Sequence, residues 1–188
     1  MMSAIVPLLI LAIVLLGVPW WIVSVYNRLV SMRNLVDNAW AQTDTQLKRR
    51  SDLIPNLVET VKGYATHERQ TFENVTQARN AAVNTVGPHA RDKAENALTG
   101  AIKSVFAVAE AYPELKANQG FLSLQTELTT TEGFIAQCRR NYNDAVLALN
   151  NALQVFPANS VASLFKFQSR EYFGAPQPAD REAAKVQF

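Results

Sequence analysis

The chain has 188 residues, with 18 Lys and Arg against 16 Asp and Glu and a formal net charge of +2. That length suits one domain of ordinary size plus an appendage. A charge this close to balance gives no electrostatic case for a nucleic-acid partner, and the single cysteine, Cys138, excludes an intramolecular disulfide.

Residues 4–25 read AIVPLLILAIVLLGVPWWIVSV, and no charged side chain occurs from Met1 through Asn27. At 1.5 Å per residue such a run reaches roughly 33 Å as a helix, enough for the hydrocarbon core of a bilayer. Trp20, Trp21 and Tyr26 stand at one end, where an interfacial aromatic belt belongs. Pro7 falls near the helix start, where a missing N–H costs little; Pro19 lies deeper, where a local bend is expected. A cleaved signal peptide needs a basic leader, a shorter apolar core and a small-residue cleavage site, none of which is present. Residues 1–26 are therefore expected to form an uncleaved single-pass anchor with the lipid bilayer as partner. Arg28, Arg33, Lys48, Arg49 and Arg50 follow the run, so the positive-inside rule puts the N-terminus outside and the remainder in the cytoplasm.

The rest of the chain has helical rhythm throughout and no strand-period segment. Leu29, Met32, Val36, Ala39, Thr43 and Leu47 step by three and four, with no breaker between Ser24 and Arg50, so the membrane helix is expected to run on into the following domain. A second stripe, Ile54, Leu57, Val61, Tyr64, Glu68, Phe72, Val75, Arg79, Ala82 and Val86, is interrupted by Glu68 and Arg79 and broken by VGPHA at 86–90. A third runs from Ala94 through Leu98, Ile102, Val105 and Val108 to Tyr112, ahead of Pro113. The clearest is the last: Phe121, Leu124, Leu128, Thr131, Ile135, Cys138, Tyr142, Ala145, Leu149, Ala152 and Phe156 keep a heptad register, with Asn118 as cap and Pro157 as stop. A helix that long needs a partner along its length. The expected fold is all-α: a transmembrane helix continuing into an antiparallel up-and-down bundle over residues 27–173, then a disordered tail over 174–188 that carries Pro176 and Pro178.

KRRSDLIP, residues 48–55, reads as a tight joint between two helices. Ser51 or Asp52 would cap the second, Pro55 would sit in its first turn, and Arg49 and Arg50 would end the first beside its negative dipole. A second arginine pair lies in QCRRNYN at 137–143. Arg139 or Arg140 could pair with Asp52, Glu59 or Glu132 inside the bundle, giving a polar cluster that also draws on Asn56 and Asn143. Two readings stay open for that cluster: ion pairs that fix register, or a site for an anionic ligand or partner. Phe165, Phe167, Tyr172 and Phe173 likewise admit two readings: closure of the bundle's end, or docking on a neighbour.

No catalytic constellation emerges. HERQT at 67–71 begins like a zinc-protease motif, but Thr71 stands where the second histidine must be. Neither His67 nor His89 has a glutamate three residues before it, as a carboxylate-bridged di-metal bundle requires. Cys138 lies on the apolar stripe and reads as a small hydrophobe. No cofactor and no metal site are expected.

The segments YNRLV, NAWAQTDTQLKRRSDLIPNLVETVKGYATHE, AEAYPELKAN, LQTELTTTE, RRNYN and FPANSVASLFKFQSREYF, in that order between residues 26 and 173, resemble the LemA family of bacterial membrane proteins. The resemblance implies a membrane-anchored antiparallel helical bundle in the bacterial inner membrane, without an established enzymatic activity. It singles out Arg49, Arg50, Asp52, Pro55, Asn56, Arg139, Arg140, Tyr142 and Asn143 as recurrent positions, none with a catalytic role. The expected function is a non-enzymatic scaffold that forms homo-oligomers. The alternative is an adaptor that presents clients or binds a partner membrane protein such as a protease.

Overall fold

A computed structural model describes residues 2–174, with side chains from Leu15 onward. Six helices occur in chain order: α1 Met2–Lys62, α2 Arg69–Asn84, α3 Pro88–Glu110, α4 Pro113–Lys116, α5 Gln119–Gln154 and α6 Ala158–Leu164. The described residues contain no strand. Among them, no helix is long and apolar enough to cross a membrane. The side chains of residues 4–14, half of the predicted span, lie outside the described set, as does the predicted tail beyond Gly174.

Helix α1 corrects the expected joint at KRRSDLIP. It passes through residues 48–55 without interruption, and the first break comes at Gly63–Glu68. The physical reason is phase. Leu29, Val36, Thr43, Leu47, Arg50, Ile54, Leu57 and Val61 are all buried and fall on one register of threes and fours, which is completed by half-buried Met32 and Ala39. A new helix beginning at Ser51 would have had no reason to keep it. Ser51 is not a cap but a buried residue inside the helix, and Arg49 and Arg50 end nothing.

Pro55 remains to be accommodated. A proline inside a helix removes the N–H that the carbonyl four residues earlier would accept, at a cost of about 3 kcal/mol. Here that carbonyl belongs to Ser51, and Arg79 of α2 supplies the missing donor: its Nε donates to the Ser51 carbonyl at 2.8 Å. Arg79, an oddity on an apolar stripe, thus stands in for a backbone amide. Replacing Arg79 by methionine is expected to cost about 1–3 kcal/mol, the usual penalty for a buried acceptor left unpaired. In a Pro55→Ala background the new amide reaches Ser51, and the same replacement should cost clearly less. Urea unfolding of the four proteins of this cycle measures the coupling; equal costs in both backgrounds would sever Arg79 from the proline.

The chain divides into two compact units, with α1 and α5 contributing to both. One contains Trp40–Asn143 with the chain from Glu171; the other contains the chain up to Ala39 with Asp144–Arg170. In the first, pairings give the topology. Along α1, Trp40 meets Tyr142 (ring centroids 5.4 Å), Arg49 meets Glu127 (2.9 Å) and Tyr64 meets Asn118 (3.0 Å), so α5 runs antiparallel to α1. Ser51 meets Arg79 and Lys62 stacks on Phe72, so α2 is antiparallel as well. Asp44 pairs with Arg91 and Arg50 with Thr99, so α3 runs parallel to α1. The result is the expected up-down-up-down order, closed around Leu57, Val61, Val75, Leu98, Val105 and Leu128.

The turns have local causes. Gly87 takes φ 91°, a backbone conformation that only glycine adopts freely, and Pro88 then opens α3 with its fixed φ. Pro113 ends the third stripe by starting α4, a four-residue turn. The Asn118 side chain caps α5, accepting from the Phe121 amide at 3.1 Å. Glu68, the other oddity of the second stripe, is the N-cap residue of α2.

In the other unit, α1 and α5 pack together beneath a C-terminal strap. The Asn150 amide side chain donates to the Arg170 carbonyl and accepts from the Arg170 amide, both at 2.9 Å, and Arg170 pairs with Asp37 at 3.0 Å. Tyr26 lies against Phe165 (4.8 Å between centroids) and Phe167 (5.7 Å).

Candidate functional site

The chemically distinctive feature of the first unit is an ion cluster built on core positions. Arg50 is fully buried at the α1 register position between Leu47 and Ile54. One terminal nitrogen bonds the Glu132 carboxylate of α5 and the Thr99 hydroxyl of α3, the latter at 2.9 Å; the other bonds the Glu95 carboxylate of α3. Glu95, also fully buried, accepts on its second oxygen from Arg91 Nε at 2.8 Å. Arg91 lies within 3.6 Å of Asp44 and reaches the carbonyls of Val83 (3.4 Å) and Thr85 (3.3 Å). It therefore satisfies acceptors left over where α2 ends.

Arg139 of α5 extends the cluster. It approaches Asp92 at 3.4 Å and lies 4.5 Å over the Phe173 ring. Burial pushes its guanidinium below the ordinary value; Asp92 opposes that shift, and Arg50 adds to it. Asn143, one turn on, holds the strap as Asn150 does in the other unit: it donates to the Phe173 carbonyl at 3.0 Å and accepts from the Phe173 amide at 2.9 Å. The Tyr142 hydroxyl donates to the Glu171 carbonyl at 2.9 Å.

The predicted cluster is thus corrected in membership. Arg50, Glu132, Arg139 and Asn143 belong to it or border it. Arg139 takes Asp92 as its ion-pair partner, not Asp52 or Glu59. Asp52, Asn56 and Glu59 are exposed on α1, and Arg140 is exposed and bonds Gln137 of its own helix at 2.7 Å. Arg49 pairs with Glu127 at the surface, outside the cluster. Arg91, Asp92, Glu95 and Thr99 were not anticipated. Their sequence signal is register: Arg91 and Glu95 continue the α3 stripe backward from Leu98 in steps of three and four.

Three guanidiniums face four carboxylates, so the cluster carries no excess positive charge to draw an anion. Its bonding is also incomplete, since Arg50 Nε and Arg139 Nε are buried without a hydrogen-bond partner. Buried pairs of this kind gain little net stability, but removing one member is costly, which suits a role in fixing helix register. A cleft of about 410 Å³ lies alongside, lined by Trp40, Lys48, Asp52, Arg79, Val83 and Val86 among others. Among the described residues, no group of three or more His, Cys, Asp or Glu is placed to hold a metal ion. Cys138 is half-buried.

The remaining predicted positions lie in the strap and along α1. Phe173 is buried, against Trp40 as well as Arg139; Tyr172 and Phe167 are half-buried, and Phe165 is 47% exposed. Trp20 is 74% exposed and Trp21 half-buried, while Tyr26 is engaged by the strap.

The sequence model of the LemA family matches residues 39–188. Protein LemA of Metamycoplasma hominis is 28% identical over 155 residues, a match covering 80% of this chain and 69% of that protein. Magnetosome protein MamQ 2 of Paramagnetospirillum magneticum is 24% identical over 174 residues, covering 79% of this chain and 64% of that protein. Magnetosome protein MamQ of Magnetospirillum gryphiswaldense is 23% identical over the same length, with the same coverage. The chain thus spans about two thirds of the length of these relatives.

Proposed function

The chain belongs to the LemA family, and on that premise we propose that it is a non-enzymatic, single-pass protein of a bacterial inner membrane whose bundle serves as a self-associating scaffold. The observation that carries this reading is α1. One helix holds both the uncharged run of residues 4–25 and the buried stripe from Leu29 to Val61. No turn interrupts α1 between the run and the stripe. The bundle lies on the cytoplasmic side, since Arg28 and Arg33 come directly after the apolar run. The paired charges of the Arg50 cluster support a structural rather than a catalytic role, since each faces an opposite charge inside the bundle.

A second reading, an adaptor for another membrane protein, draws on the cleft at the α2–α3 turn. Val86 there is 91% exposed and Val83 47% exposed, beside Trp40. Exposed apolar groups at a cleft are what a partner would cover. The mass of the full chain in mild detergent separates the two readings. A large, homogeneous assembly is expected; a monomer that co-purifies with another membrane protein would favour the adaptor, and a monomer alone would overturn the scaffold. A chain shortened to begin at Tyr26 reports whether the apolar run is needed for assembly.

A further inference from the structure

We propose that the α5–α6 turn, residues 155–165, is a second membrane contact that rests in the headgroup region of the same bilayer α1 enters. The inference rests on the anchored reading of α1 and adds a surface to it.

The turn displays apolar side chains that its own unit does not cover. Val155 is 61% exposed, Phe156 78%, Leu164 68% and Phe165 47%. The place of the turn along α1 selects the occupant. Val155, Phe156 and Pro157 line one side of a groove of about 500 Å³ whose other side is Trp21, Val25 and Arg28. At the far end of the turn, Phe165 lies 4.8 Å from Tyr26, ring to ring. The turn therefore sits level with Trp21 to Arg28, a rise of about 10 Å along a helix. That is where the uncharged run gives way to Arg28 and Arg33.

A group at that depth meets headgroups and the ends of acyl chains. Phe156, Leu164 and Phe165 offer the apolar contact such a layer takes up, and exposed Trp20 is of the type enriched there. Arg28, Arg33 and Lys166 are exposed in the same unit, and a cluster of like sign favours an anionic leaflet. A second copy of the chain would cover the apolar groups but would gain nothing from this level on α1 or from these cations.

The test uses the full chain with Cys138→Ala, carrying one environment-sensitive fluorophore and reconstituted into phosphatidylcholine vesicles containing phosphatidylglycerol and spin-labelled lipid. Labels are placed through Ser160→Cys and Ser163→Cys, which leave the apolar side chains intact, and through Leu16→Cys in the anchor. All three are expected to emit at shorter wavelength than in water and to be quenched by the lipid label. Phe156→Asp with Leu164→Asp should abolish quenching at Ser160→Cys and leave it at Leu16→Cys. Quenching at position 16 with a water-like spectrum at 160 and 163 would overturn the second contact while the anchor stands. A blue-shifted but unquenched label at 160 would place a protein there and overturn it too. No quenching at position 16 would overturn the anchor, and the second contact with it.

Discussion

Replacing Glu95 by alanine is expected to lower folding stability by about 3–5 kcal/mol, the cost of leaving buried charge without its partner. Glu95 is the only fully buried carboxylate of the cluster, and it accepts from two guanidiniums. Without it, Arg50 and Arg91 would be left facing each other across α1 and α3 with one buried negative charge fewer. Glu132 would still hold Arg50, but its side chain is 40% exposed, and a partly solvated partner recovers only part of the loss. Replacing Arg50 and Glu95 together by methionine should restore much of the stability, because an apolar pair needs no compensation. A fall of less than about 1 kcal/mol in the urea-unfolding free energy of Glu95→Ala would show that the cluster is not the internal lock its geometry describes.

Phe173→Ala is expected to cost about 3–5 kcal/mol, the range for deleting a buried aromatic ring. Phe173 is only 3% exposed, lies 5.9 Å from Trp40 and sits under the Arg139 guanidinium. Truncating it opens a cavity and removes the face that accompanies a half-buried cation. Phe165→Ala, at a position 47% exposed, should cost much less. Thermal unfolding of the two variants divides the strap. If Phe173→Ala melted with the parent chain, closure of the bundle by the strap would fail, and docking on a neighbour would be the better account of these aromatics.

The sequence was most informative where one physical demand ruled a whole element. The α5 stripe is buried or half-buried from Phe121 to Ala152, because a helix of 36 residues must find partners on one face throughout; its last predicted member, Phe156, lies beyond the helix end at Gln154 and is 78% exposed. Its cap, Asn118, was legible for the same reason. The resemblance to the LemA family rested on segments spread along the chain, and the chain does belong to that family. Local chemistry misled at KRRSDLIP. Ser, Asp and Pro there have the composition of a helix start, yet the register through Leu47, Arg50 and Ile54 does not slip, and tertiary packing outweighed capping propensity. The proline's missing amide is offset by a side chain 24 residues further on, which no local pattern could reveal.

The cluster was half legible for a related reason. Arginine pairs stand out in a sequence, so Arg50 and Arg139 were found. Their partners on α3 were hidden because polar residues in phase with an apolar stripe look like the place where it ends. Arg91 and Glu95 show the opposite: the stripe goes on, and the core at that level is ionic. Asp52 and Glu59, expected as partners of Arg139 or Arg140 inside the bundle, are instead exposed on α1.

Membrane insertion of the first part of α1 is the claim on which the scaffold reading and the second lipid contact both depend. Alkaline carbonate extraction of membranes containing the full chain tests it most directly. The account predicts that the protein stays in the membrane pellet, and that Leu11→Lys with Val14→Lys releases it, since each charge at that depth costs about 2.5–3.5 kcal/mol. Recovery of the unmodified chain in the carbonate supernatant would contradict the account.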